Sequence, residues 1–106
     1  TEDPTLRHAL GLALVRDKQL PQAIEELTLA AKLAPQRPRY SYILAIALNG
    51  NEQQQQALQV LRQALKVHPQ DRDLLTILVT ISREQGDRQQ ARHYLKLLRE
   101  FHPDDP

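Results

Sequence analysis

Three prolines, Pro35, Pro69 and Pro103, recur 34 residues apart. Each closes a similar apolar stretch: Ala-Ala-Lys-Leu-Ala-Pro, Ala-Leu-Lys-Val-His-Pro and Leu-Arg-Glu-Phe-His-Pro. Other columns keep the same register. Ala23, Ala57 and Ala91 form one, Leu27, Leu61 and Leu95 another, and Leu10, Leu44 and Leu78 a third. A fixed period of this length marks a chain built from stacked supersecondary units, none of which can bury its apolar face alone. It is also not a heptad period, which excludes a coiled coil.

Each unit reads as two helices and a turn. The second helices carry apolar stripes at helical spacing, Ala23, Leu27, Ala30 and Ala31, then Ala57, Leu61, Ala64 and Leu65. Ala57 and Ala64 are expected at a close helix contact. The first helix of the middle unit, from Tyr40 to Leu48, is apolar almost all round, as a helix enclosed by neighbours should be. Asp3-Pro4 and Arg37-Pro38 suit helix starts, and Asp71 suits an N-cap. Asn49-Gly50-Asn51 and Gly86-Asp87 supply turn chemistry. The spacing predicts helices at 4–17, 21–34, 38–50, 54–67, 72–85 and 88–101, in one all-α domain over 1–106. Its repeats are expected at 4–37, 38–71 and 72–105.

These residues resemble the tetratricopeptide repeat family over essentially the whole chain. The family's pattern is carried first by Leu10-Gly11, Leu14, Ala23, Leu27, Ala30 and Pro35. Leu44-Ala45, Leu48, Ala57, Leu61, Ala64 and Pro69 repeat it, and Leu78, Ala91, Leu95 and Pro103 follow. Val79 and Leu98 stand in slots that are usually small. Leucine largely replaces the family's aromatic residues, so aliphatic volume must carry the packing. The resemblance implies an α-solenoid of three hairpins, six antiparallel helices, working as a non-catalytic protein-interaction scaffold. A weaker resemblance links the middle repeat, from Arg39 to Asn49, to the C-terminal repeat segment of bacterial multi-haem c-type cytochrome-like proteins. It implies a larger exported bacterial parent, with any redox chemistry lying outside this segment, and leans toward the periplasm while leaving the cytoplasm open.

In such a stack the first helices line a concave groove. Projected from the repeat, that groove holds His8, Leu12, Val15, Tyr42, Ile46, Asn49, Thr76, Thr80 and Arg83. The mixture suits an extended or helical peptide with apolar anchors, and Tyr42, with a ring and a hydroxyl, is the expected centre. Relatives that clamp the acidic C-termini of heat-shock chaperones use asparagines and basic residues. The matching places here are His8, Leu12, Ile43, Asp73 and Ile77. Asp73 would repel an anion, so that clamp is not expected.

The two ends of the stack differ. Ile24 and Ala31, then Leu58 and Leu65, should face the following repeat, but their third-repeat counterparts are Arg92 and Arg99. A polar outer face suits a terminal repeat, so the stack is expected to stop there. Leu6 occupies the slot of Tyr40 and Leu74, which should pack on a preceding hairpin. It is therefore the candidate for self-association, giving a homodimer through the N-terminal face, or for cover by upstream sequence. The chain starts at Thr1 and has no methionine, as expected of a piece of a longer protein.

Other chemistry finds little support. Lys and Arg number 14 against 13 Asp and Glu, so no net field favours nucleic acid or an anionic membrane. The related pentatricopeptide class reads RNA, but no basic stripe runs along the first helices. No apolar run approaches the roughly 20 residues of a membrane span. There is no cysteine, and the four histidines lack a second ligand at metal-binding spacing, so no metal or cofactor is expected. Ser41 and Ser82 have no base nearby in the repeat frame, and no phosphate loop is present, so no enzyme activity is expected.

Overall fold

The computed structural model describes residues 3–104. The predicted domain and third-repeat boundaries at 1 and 105–106 lie outside them. Six helices follow in order: α1 Pro4–Arg16, α2 Leu20–Leu33, α3 Pro38–Gly50, α4 Gln54–Val67, α5 Arg72–Glu84 and α6 Arg88–Phe101. The described residues form no strand.

Local chemistry explains the boundaries. Asp3 caps α1, accepting from the backbone N–H of Thr5 at 3.0 Å, and Asp71 caps α5 through Leu74 N–H at 2.9 Å. Asp87 does the same for α6 through Gln90 N–H at 3.1 Å. Prolines stand in the first turn of α1, α2 and α3, where the missing N–H costs nothing. Inside each hairpin the chain turns through one left-handed residue at a fixed repeat slot: Lys18 with φ 60°, Glu52 with φ 62° and Gly86 with φ 75°. Glycine fits that slot without strain. In the middle hairpin the turn residue is thus Glu52, whereas Gly50 is the last residue of α3.

Consecutive helices pack in sequence, and α3 also reaches α5. The stack measures 39 × 26 × 22 Å. The core follows the repeat columns: Ala23, Leu27, Ala57, Leu61, Leu74, Leu75 and Leu78 are all fully buried. Ala57 and Ala64 are both buried, as close helix approach requires. Gly11 marks the tightest approach. A Cβ there would stand 2.6 Å from Leu27 Cδ2.

The repeats are also joined by polar contacts. His68 Nε2 donates to the Pro35 carbonyl at 3.1 Å, and His102 Nε2 donates to the Gln70 carbonyl at 2.6 Å. Both histidines therefore tie the end of one second helix to the preceding inter-repeat turn. The first repeat has a buried Ala34 in that slot.

Candidate functional site

First helices meet one another closely. Tyr40 of α3 stacks on His8 of α1 with ring centroids 4.4 Å apart, and Asn49 Nδ2 of α3 donates to Glu84 Oε1 of α5 at 3.2 Å. Second helices are held apart instead. A cleft of about 490 Å³ separates α2 from α4, with Leu44 at its floor, and one of about 330 Å³ separates α4 from α6. This wedge shape puts the first helices on the inner side of the curve.

The nine projected residues divide along three helices. On α1, His8, Leu12 and Val15 are half-buried, and Val15 packs against the main core. His8 Nδ1 is buried without a hydrogen-bond partner. Desolvation, followed by the nearby Arg39 charge, holds the His8 imidazole below its usual pKa. On α3, Tyr42 is half-buried against the core with the Arg39 guanidinium 6.0 Å from its ring centre. Ile46 is 42% exposed, a large apolar side chain in the middle of the inner surface. Asn49 is engaged with Glu84. On α5, Thr76 and Thr80 are exposed, and their hydroxyls donate back to the Arg72 and Thr76 carbonyls at 2.8 and 3.1 Å. Arg83 is exposed at the far end.

Sequence reasoning missed Arg39 over Tyr42 and Glu84 opposite Asn49. Arg39 stands three residues before Tyr42, the spacing at which helical neighbours meet, so that contact was within reach of the pattern. The Asn49–Glu84 bond joins two repeats and needed their relative placement. Ser82 is fully buried and Ser41 lies beside the outer cleft; neither sits with a base. Among the described residues no group of three His, Cys, Asp or Glu side chains could hold a metal, and no helix is long and apolar enough to cross a membrane.

The end faces extend what the sequence suggested. Leu6 and Leu10 of α1 are 68% and 47% exposed, whereas Tyr40 and Leu44 in the same slots are 6% and 3% exposed. Tyr40 is buried against Ala30 and Ala34 of the preceding hairpin. Leu29 and Leu33 of α2 are exposed as well. Their counterparts Gln63 and Val67 line the cleft toward the preceding hairpin, so all four leucines belong to the N-terminal end.

With this repeat geometry established, sequence and structure comparisons agree on the class. Two family models described as tetratricopeptide repeat match residues 8–71 and 48–106. The chain belongs to the tetratricopeptide repeat family, whose domains generally bind proteins or peptides and are typically non-catalytic scaffolds. Solved structures share the fold. A double mutant of MamA RS-1 superposes with TM-score 0.82 at 21% identity, over 97% of this chain and 59% of that one. The Sgt2 TPR domain from Aspergillus fumigatus gives TM-score 0.85 at 22% identity, over 98% of this chain and 69% of that one. No curated protein is significantly similar in sequence. None of these matches extends to the multi-haem cytochrome-like resemblance.

Proposed function

We propose that this chain is a non-catalytic scaffold that holds an extended or helical peptide of a partner protein against its first helices. The observation that carries the reading is Ile46, exposed at the middle of the inner surface beside the half-buried Tyr42 ring. An exposed aliphatic side chain next to an amphipathic aromatic one is a fitting anchor pair. Thr76 and Thr80 offer hydroxyl oxygens that still accept, and Arg83 a cation at the end. His8, Leu12 and Val15 would continue the surface along α1, with Asn49 between the second and third repeats.

Tyr42→Ala with Ile46→Ala should weaken partner binding by about tenfold or more while leaving the helical circular dichroism signal unchanged. Partners recovered by pull-down with the wild-type chain provide the probe. Equal affinity for the double variant would remove the inner surface from the reading.

A second reading rests on the exposed leucines of the N-terminal end. Two copies meeting through Leu6 and Leu10 in a two-fold contact would bury the surface that Tyr40 and Leu44 bury inside the stack. Leu6→Arg should then turn a dimer into a monomer by light scattering. A wild-type chain that stays monomeric at every concentration would dispose of this alternative.

A further inference from the structure

The opposite end of the stack has a different chemistry. Two adjoining hollows, of about 360 and 450 Å³, run along the outer side of α6 and share Arg92 and Leu95. Arg83 and Arg88 line one end, Lys96 and Arg99 the other. The single acidic residue along the trough is Glu100. None of the five cations makes an ion pair among the described residues. Leu95 sits at the centre, half-buried, although its counterparts Leu27 and Leu61 are completely covered.

What covers those counterparts is visible inside the molecule. The first helix of the next repeat, α3 or α5, each of 13 residues, lies against the second helix before it. The α6 trough presents the same slot with the charge changed: Arg92 replaces Ile24 and Leu58, and Arg99 replaces Ala31 and Leu65. A helix docking there would contact Leu95 through an apolar stripe and would have to neutralise the flanking cations, because an unpaired buried charge costs several kcal/mol. A second copy cannot do this through its N-terminal end, since it would bury Arg92 and Arg99 against Leu6 and Leu10. The trough contains no aromatic ring on which a nucleic-acid base could stack.

We propose that the α6 trough docks an acidic amphipathic helix of a partner protein, with leucine-type residues over Leu95 and carboxylates paired with Arg92, Lys96 and Arg99. This surface meets the inner one only at Arg83, and its charge gives it a distinct salt dependence.

The test uses the 106-residue chain and a helical peptide of about 15 residues, long enough to match the first helices at 1.5 Å rise per residue. The peptide carries leucines at i, i+3, i+4 and i+7, flanked by glutamates; a control carries lysines in their place. Fluorescence anisotropy should show saturable binding of the acidic peptide, weakening with added salt, and none of the basic one. Arg92→Glu with Arg99→Glu should lower acidic-peptide affinity at least about tenfold and create affinity for the basic peptide. Circular dichroism on the variant establishes that the helices persist, and the switch in peptide preference cannot arise from unfolding. No binding of the acidic peptide by the wild type would overturn the assignment. So would acidic-peptide binding that survives the charge reversal but is lost in Tyr42→Ala with Ile46→Ala, or tighter binding of a single-stranded oligonucleotide at the same arginines.

Discussion

The two ends of this solenoid correspond to the two facing sides of one internal repeat junction, and they present opposite surfaces. At the N-terminal end, Leu6, Leu10, Leu29 and Leu33 are exposed. At the C-terminal end, Arg92, Lys96 and Arg99 surround Leu95. Because the internal junctions are built from the same slots, they show what each end is chemically ready to receive. An apolar face accepts another apolar helix and gains from removing its area from water. A basic face rejects that helix and requires carboxylates. The difference lies in a few side chains on a shared backbone plan.

The largest expected effect comes from erasing that difference. Arg92→Leu with Arg99→Leu gives α6 an outer face like that of α4, complementary to the N-terminal leucines of another copy. Such a head-to-tail contact does not close. Light scattering should show mass rising with concentration to open-ended species, and adding Leu6→Arg should reverse it. A strictly monomeric double variant would mean that the two ends do not match as the internal junctions do.

A smaller effect separates the first and third hairpins. Gly11, Ala45 and Val79 occupy one slot, yet only Gly11 faces a leucine so close that an added Cβ would come within 2.7 Å of its Cγ. Leu27 is fully buried and has little room to yield. Gly11→Ala should therefore destabilise the chain by about 1–3 kcal/mol through overpacking, read from the urea midpoint. A neutral result would mean that α1 can move away from α2 freely. The third hairpin tolerates a branched side chain in this slot, with Leu95 only half-buried.

The smallest effect is electrostatic and belongs to the first hairpin's junction with α3. His8 has its pKa depressed by burial and then by Arg39. The unfolded chain therefore binds the proton more readily, and stability falls as pH drops below about 6.5. The loss is complete once pH is below the folded-state value. Replacing His8 by Gln should flatten the difference between urea midpoints at pH 7.5 and 5.5. An unchanged difference would show that His8 protonates without penalty.

Much of this was legible before any coordinates. Periodic prolines, alanines and leucines placed all six helices, whose observed limits lie within a residue of those predicted. Asp71 was readable as a cap because its carboxylate acts on its own helix. Leu6 was readable as unpartnered because its repeat equivalents are Tyr40 and Leu74. Leu29 and Leu33 were not, since their counterparts Gln63 and Val67 differ in polarity and show no shared column. The histidines at 68 and 102 resembled ordinary surface residues; their hydrogen bonds to Pro35 and Gln70 carbonyls depend on how successive repeats are rotated. For the inner surface, sequence could say which residues lie on the first helices. It could not say that Ile46 is exposed while Val15 is half-buried against the core.

The sequence by itself determined the repeat, the helices and the unlike chemistry of the two ends. Helix periodicity and capping are local, and a 34-residue period writes them out three times. Only the tertiary structure decided which exposed leucines share one face, how Arg83 through Arg99 converge on a trough, and where second helices part to leave clefts. Those features depend on the angle and distance between hairpins, which are set by side-chain volumes meeting across repeats.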